Sequence, residues 1–314
     1  MSSEGTRWRH AAFVGLASLL TQGCIVQDCR TDEGRDAICL ETPVRYDGTP
    51  GEDAVVYELG WGVSIDGIYG DISVVEGVPG EIAVVYEPFA YAGSGEAGEA
   101  AEAIEEKARF PNLFLDDETL VVRSGRTDGE LPLVGMDLQI ALPPEFDGPI
   151  SIRNRGSGTW NPGEVDVRFV GFAPSVAVTA GPLGDCTITG GPEVYFTRAR
   201  CGDSVRVYGV NDTVDLRSTG GFGDVVLELA TVSPFAGESV VHSETGEVDV
   251  TFPFYADFSF TAQATDPGVV DLGAVETECE TAIAAESAKS ATCGAGGPLY
   301  TLRSDAGGVY VDLR

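Results

Sequence analysis

Asp203, Asp215, Asp224 and Asp249, with Arg206 and Arg217, are the residues whose types best suit chemistry in this chain. Paired carboxylates beside a cation are what glycosidic-bond hydrolysis needs: one carboxyl protonates the leaving oxygen while the other attacks or activates water. Their spacing favours something plainer. They recur with the strand pattern set out below, so turn capping and outward strand positions account for them without a substrate. His242 is the sole histidine after residue 23, and it stands where Arg217 and Arg303 stand in sister segments. A surface strand position is therefore expected for it, not the base of a Ser–His–Asp arrangement. Neither Gly-x-Ser-x-Gly nor a phosphate-cradling Gly-x-x-x-x-Gly-Lys occurs. Acids at Asp66/Asp71 and at Asp116/Asp117/Glu118 could take calcium, but no EF-hand loop or Gly-Gly-x-Gly-x-Asp repeat accompanies them. Phe252, Phe254, Tyr255, Phe258 and Phe260, gathered around Pro253, suit either an exposed platform for a glycan or protein or a cap on a β-body. The cap is the expected role. No catalytic residue, cofactor or metal ligand is assigned, and the chain is read as a non-enzyme.

Charge narrows the partners. The 314 residues hold 50 acids and 19 lysines and arginines, a formal charge of −31. Removing residues 1–23 takes away Glu4, Arg7 and Arg9 and leaves 291 residues with 49 acids, 17 bases and a charge of −32. Such a surface repels nucleic acid and anionic headgroups. It attracts divalent cations or basic partners, although solubility in a saline or crowded exterior already accounts for it. An apolar content of 43% is that of a globular chain, enough for one large or two small domains.

The elements that must position these residues are strands. A glycine, often followed by an acid, precedes alternating β-branched residues again and again: Gly70-Asp71-Ile72-Ser73-Val74, Gly163-Glu164-Val165-Asp166-Val167, Gly223-Asp224-Val225-Val226-Leu227 and Gly246-Glu247-Val248-Asp249-Val250. Period-two alternation puts one face inward and one outward. Glycine suits a corner with positive φ, and the acid can bond back to the turn. Leu216-Arg217-Ser218, Val241-His242-Ser243 and Leu302-Arg303-Ser304 each lead into such a unit through a polar corner. Glycines at 163, 184, 202, 223 and 246 give a period near 20, which predicts a β-solenoid or β-roll-like stack of short strands. A sandwich of hairpins is the competing all-β arrangement. Two small helical insertions are expected, one over 96–109, where Ala97, Ala100, Ala101, Ile104 and Ala108 fall at helical spacing, and a weaker one over 276–290. Residues 24–55, rich in turn formers, read as a tether before a β-rich domain over 56–314.

The N-terminus has the pattern of an export signal. Arg7 and Arg9 precede an apolar run from Ala11 to Leu20, too short to span a membrane. Leu20-Thr21-Gln22-Gly23-Cys24 resembles the lipobox of bacterial lipoproteins, which implies a signal peptide of residues 1–23 and lipid on Cys24. Membrane contact would then be through that lipid. Six cysteines remain, in three local pairs: Cys29 and Cys39, Cys186 and Cys201, Cys279 and Cys293. An even number in an oxidising compartment suggests three disulfides, and pairing neighbours is the simplest of the connectivities open to them. Zinc is disfavoured, since no Cys-x-x-Cys occurs.

The order of parts resembles the DUF4097-type adhesin-like domain of bacterial envelope proteins. The residues that carry the resemblance are Val63-Ser64-Ile65-Asp66-Gly67 leading to Gly70–Val74, the strand Ile82–Tyr86, and Leu120-Val121-Val122-Arg123. Met136-Asp137-Leu138-Gln139-Ile140-Ala141-Leu142-Pro143, Ile150-Ser151-Ile152 and the later glycine-acid strands complete it. It spans about 56–314 and implies a β-solenoid-like envelope domain with no established catalytic residues. The expected role is a non-enzymatic, lipid-anchored binding or structural module, with a protein or glycan partner and no nucleic acid. A carbohydrate-active solenoid enzyme and an envelope-stress or assembly component are the alternatives. Ile25 after Cys24, where an aspartate would retain an enteric lipoprotein in the inner membrane, points to the outer membrane.

Overall fold

β-Branched residues at every second position make strands here, and glycine- or serine-bearing corners end most of them after three to six residues. The computed structural model describes residues 28–30, 38–40 and 44–314, apart from 94–96, 125–131, 157–162, 192–193, 221–222 and 266. The signal segment and Cys24 lie outside the described residues. The chain begins with β1 (Asp28–Arg30), β2 (Ile38–Leu40), β3 (Val44–Asp47), β4 (Gly51–Val56), β5 (Gly62–Gly67) and β6 (Ile72–Glu76). There follow β7 (Glu81–Ala92), α1 (Ala97–Lys107), β8 (Asn112–Asp116), β9 (Thr119–Arg123) and β10 (Leu133–Leu142). The middle consists of β11 (Ile150–Asn154), β12 (Val165–Val167), β13 (Ser175–Thr179), β14 (Cys186–Thr189) and β15 (Phe196–Cys201). It continues with β16 (Val205–Val210), β17 (Thr213–Ser218), β18 (Val225–Leu229), β19 (Ser239–Ser243) and β20 (Val248–Phe252). Last come β21 (Phe258–Ala264), β22 (Val270–Asp271), α2 (Val275–Glu278), β23 (Glu280–Ala285), β24 (Ala288–Cys293), β25 (Leu299–Ser304) and β26 (Val309–Leu313).

Apart from the small β1–β2 pair, the strands build two 12-stranded sheets. Sheet 1 runs β22-β26-β20-β18-β16-β14-β12-β6-β10-β7-β3, with β4 also on β7; sheet 2 runs β23-β24-β21-β25-β19-β17-β15-β13-β11-β5-β9-β8. Each coil gives one strand to sheet 2 and the next to sheet 1. Successive coils pair in parallel, as in Leu216 opposite Val241 and Val225 opposite Val248. The fold is all-β, a two-strand-per-coil stack. Val176, Val178, Leu216 and Val241 from sheet 2 meet Val207, Leu227, Val250 and Val311 from sheet 1 in one buried core. Burying each such side chain stabilises the fold by roughly 1.5–3 kcal/mol.

The stack departs from chain order at both ends. Coil β5/β6 sits between β9/β10 and β11/β12, and coil β25/β26 sits between β19/β20 and β21/β22. The outermost coils are then covered in turn. At one end β7 pairs antiparallel with β10, and α1 buries Ala100, Ala103 and Ile104. At the other, the β23–β24 hairpin adds to β21. The hairpin moves the edge of sheet 2 outward from β21 to β23.

Three expectations change. Residues 44–55, read as tether, form β3 and all but the last residue of β4 on β7, with Val55 buried, so the body begins by Val44. The helix expected over 276–290 is a single turn followed by a hairpin. The open edge of β21 pairs Phe258 with Cys293 and Phe260 with Ala291, and that pairing overrides local helix preference. Corner glycines also serve closeness more often than positive φ. A Cβ on Gly246 would lie 2.5 Å from the Gly223 carbonyl oxygen of the neighbouring coil, whereas Gly70 does adopt φ 113°.

Two disulfides join described residues. Cys186 in sheet 1 bonds Cys201 in sheet 2, tying consecutive coils through the core, and Cys279 after α2 bonds Cys293 in β24. Cys29 lies opposite Cys39 in the β1–β2 register; their side chains lie outside the described residues.

Candidate functional site

The outward positions of sheet 2 form straight rows across the strands. One row reads Arg123, Asp66, Arg153, Thr179, Arg200, Arg217, His242, Arg303, Gln263 from β9 to β21. It spans eight strand spacings, about 38 Å. The next row reads Val121, Ser64, Ser151, Ala177, Arg198, Asp215, Val240, Thr301, Thr261, mostly small and neutral. Asp215 is the hub of the face. It accepts from Arg217 Nε at 2.8 Å and Arg200 at 3.1 Å, and pairs with Arg198 at 3.3 Å. Burial alone would raise the Asp215 carboxyl, but the bonds from Arg217 and Arg200 outweigh it and hold the group below the usual carboxylate range. Asp305 behaves alike: partial desolvation is overcome by Arg303 Nε at 2.6 Å and by His242 Nε2 at 3.1 Å.

Sheet 1 presents the opposite chemistry. Asp166, Asp249 and Asp271 share a row with Arg206, and Asp71, Glu164, Asp185, Asp224 and Glu247 mark the corners where chains enter the sheet. Those corner acids stitch coils together. Asp71 accepts from the Glu164 N–H at 3.0 Å, Asp185 from the Ser204 N–H at 2.8 Å and Asp224 from the Glu247 N–H at 2.8 Å. The acid therefore bonds to the next coil, not back to its own turn. Burial, then repulsion from Asp312 and Glu247, raises the Asp249 carboxyl; burial, then Asp71, Asp185 and Asp166, raises Glu164.

The two edges of the stack differ as well. Where chains pass from sheet 2 to sheet 1, buried serines close the corner. Ser243 Oγ donates to the Gly223 carbonyl and accepts from the Gly246 N–H, both at 2.8 Å, and Ser304 repeats this one coil on. Where chains return, the loops expose aromatics: Phe172, Tyr195, Phe235 (91% exposed) and Tyr255 (96% exposed). Phe254 and Tyr255, with Thr231, Val232, Pro253, Ala256 and Arg314, line an open groove of about 680 Å³. The five aromatics read as one cluster thus separate. Phe252, Phe258 and Phe260 are buried, Phe252 stacking on Phe258 with centroids 3.9 Å apart, while Phe254 and Tyr255 face solvent.

No family model matches the sequence, and no curated relative does. Among solved structures the chain is similar to a "putative cell adhesion protein" from Clostridium sporogenes, at 10% identity and a TM-score of 0.28, covering 85% of this chain and 100% of that one. It is similar also to a "putative adhesin" from Bacteroides fragilis, at 9% identity and a TM-score of 0.34, and to one from Parabacteroides merdae, at 9% and 0.33. Both alignments cover 85% of this chain and 97% of the other. What this chain does has to be read from its own surface.

The residues singled out for chemistry do not form one group. Asp215 and Arg217 lie on sheet 2, whereas Asp203 and Asp224 sit at neighbouring corners entering sheet 1 and Arg206 and Asp249 lie on it. His242 takes its row position between Arg217 and Arg303. Asp66 accepts from Arg155 at 2.9 Å on sheet 2, while Asp71 sits at the sheet 1 corner, so this pair is also split. Asp117 and Glu118 form the two-residue β8–β9 turn, both at positive φ as a type I′ turn requires. Asp116 and Asp117 line an open groove of about 480 Å³ with Asp66, Arg123 and Arg153. Among the described residues no group of three or more acids, histidines or cysteines is placed to hold a metal ion. The arginine row is the feature that sequence reasoning missed, and its signal was available. Arg123-Ser124, Arg153-Asn154, Arg200-Cys201, Arg217-Ser218 and Arg303-Ser304 each set an arginine immediately before a corner residue.

Proposed function

We propose that this chain is a non-enzymatic binding module of the cell envelope, of the DUF4097 type, held to the outer membrane by lipid on Cys24. It acts by display. The stack keeps outward side chains in fixed rows and offers them to a protein or glycan partner, while residues 25–43 carry it clear of the membrane. The observation that supports this best is that the carboxylates serve the frame. Hydrolysis needs two of them free to converge on one bond. Asp215 is instead held by arginines on sheet 2, and Asp224 at the sheet 1 corner, like Asp71 and Asp185, holds a backbone N–H group of the next coil. Nucleic acid is not the partner proposed, because the molecule as a whole carries −31.

Palmitate labelling with membrane fractionation tests the anchor in wild type and Cys24→Ser. Label and outer-membrane pelleting are expected to disappear together in the variant. No label in either form would make this a soluble exported protein. Turnover of any envelope or extracellular glycan by the purified protein, abolished by Asp224→Ala with the fold retained, would sink the non-enzymatic reading.

A further inference from the structure

We propose that the arginine row of sheet 2 binds a linear anionic glycan, a polyuronate laid along the stack and across the strands. This rests on the reading of the chain as a binding module and names the ligand class. Along the nine strands from β9 to β21, outward positions carry six arginines and two aspartates, in a molecule whose formal charge is −31. An arginine or His242 occupies six of the nine positions in one row, and stacking fixes their separation at about 4.8 Å per strand. A sugar residue in an extended polyuronate is about as long as that step, and successive sugars turn over. Carboxylates on one side therefore recur every two strands, the separation of Arg123, Arg153, Arg200 and His242. Guanidinium suits this role, since its planar fork takes carboxylate oxygens two at a time.

Asp215 shows the recognition within the protein itself: one carboxylate gathers Arg198, Arg200 and Arg217. It neutralises one of the three and leaves their other donors to a ligand. Beside the arginines, Ser64, Ser151, Ala177, Thr301 and Thr261 make a low shelf on which a pyranose chain can rest, with hydroxyls to bond it. The acidic sheet 1 repels the same polymer, so binding is confined to one face. Duplex phosphates on each strand recur every 3.4 Å or so along the helix axis, out of step with the row. An acidic protein patch has no such repeat.

The test uses the detergent-solubilised lipoprotein and a uronate octamer, by calorimetry at 50 mM and 300 mM salt. The fully methyl-esterified octamer, an acidic peptide and single-stranded DNA of equal charge serve as competitors. Arg153→Gln/Arg303→Gln, which leaves the Asp215 cluster whole, is expected to weaken octamer binding at least tenfold. Arg206→Gln on sheet 1 is expected to leave it unchanged, and the ester to bind at least tenfold more weakly than the acid. Undetectable octamer binding at 50 mM salt, equal loss in Arg206→Gln, or equal binding of the DNA or the peptide overturns the proposal. Palmitate labelling and assay of new reducing ends on the same samples separate the failures. An anchored protein that ignores the octamer defeats this inference alone, whereas cleavage of the octamer defeats the non-enzymatic reading.

Discussion

Sheets 1 and 2 are wound from the same coils and share one core, yet their outer faces put carboxylates in opposite states. On sheet 2 Asp215 is surrounded by arginines and held low; on sheet 1 Asp249 is pushed up by burial and then by the acids beside it. The inward half of each strand is nearly interchangeable between the sheets, with valine, isoleucine and leucine in both. The difference therefore lies wholly in alternate residues that the core does not constrain. In a stack of this kind the frame and the surface are separate choices, and a functional row can be written outward without disturbing a single buried side chain.

The largest effect on this arrangement should come from cutting the covalent link between the faces. Cys186 and Cys201 are both fully buried and close a loop of 15 residues from one sheet to the other. Cys186→Ala/Cys201→Ala is expected to cost roughly 2–4 kcal/mol in urea unfolding. A cost below about half a kcal/mol would mean that the shared core alone holds the sheets together.

Much of the frame was legible because its signals are local. Val225-Val226-Leu227 and Val248-Asp249-Val250 alternate, glycines mark the corners, and Ala100, Ile104 and Ala108 repeat at helical spacing, which α1 reproduces over Ala97–Lys107. Stack order was not legible. That β25 lies between β19 and β21 depends on contacts between segments far apart, and no single segment carries that information. The hairpin over 280–293 failed for the same reason, an Ala- and Glu-rich stretch drawn into a strand by the edge of β21. The arginine row falls between these cases. Each Arg before its corner residue is visible, but their alignment becomes a row only when the register places Arg200 beside Arg217 and His242 beside Arg303.

A middle-sized effect should come from the hub of sheet 2. Asp215→Asn leaves Arg198, Arg200 and Arg217 facing one another, and should cost about 1 kcal/mol at pH 7, more than an exposed ion pair because Asp215 is largely shielded. The sign follows from its lowered carboxyl. Stability from such a group is present above its unfolded pKa of about 3.9 and is lost as pH falls through the lower folded value. The gap between wild type and variant in urea unfolding should therefore hold from pH 7 down to about pH 4 and close below it. A gap that widens on acidification would show that the arginines do not hold Asp215 ionised.

The smallest effect sharpens the contrast because it runs the other way. Asp249 on sheet 1 is raised by burial and by its neighbours Asp312 and Glu247, so its ionised form is disfavoured in the folded state. For a raised carboxyl the penalty is full above the folded pKa and disappears as pH falls to the unfolded one. Asp249→Asn removes that penalty, and screening by solvent keeps the gain small, about half a kcal/mol or less at pH 7. The variant should be more stable than wild type at neutral pH and equal to it near pH 4. It should also gain less at high salt, which already weakens repulsion between acids. Two neutralising substitutions of the same residue type, one on each face, would then shift stability in opposite directions. Salt separates the two causes on sheet 1, because it weakens repulsion from Asp312 and Glu247 but not the burial of Asp249.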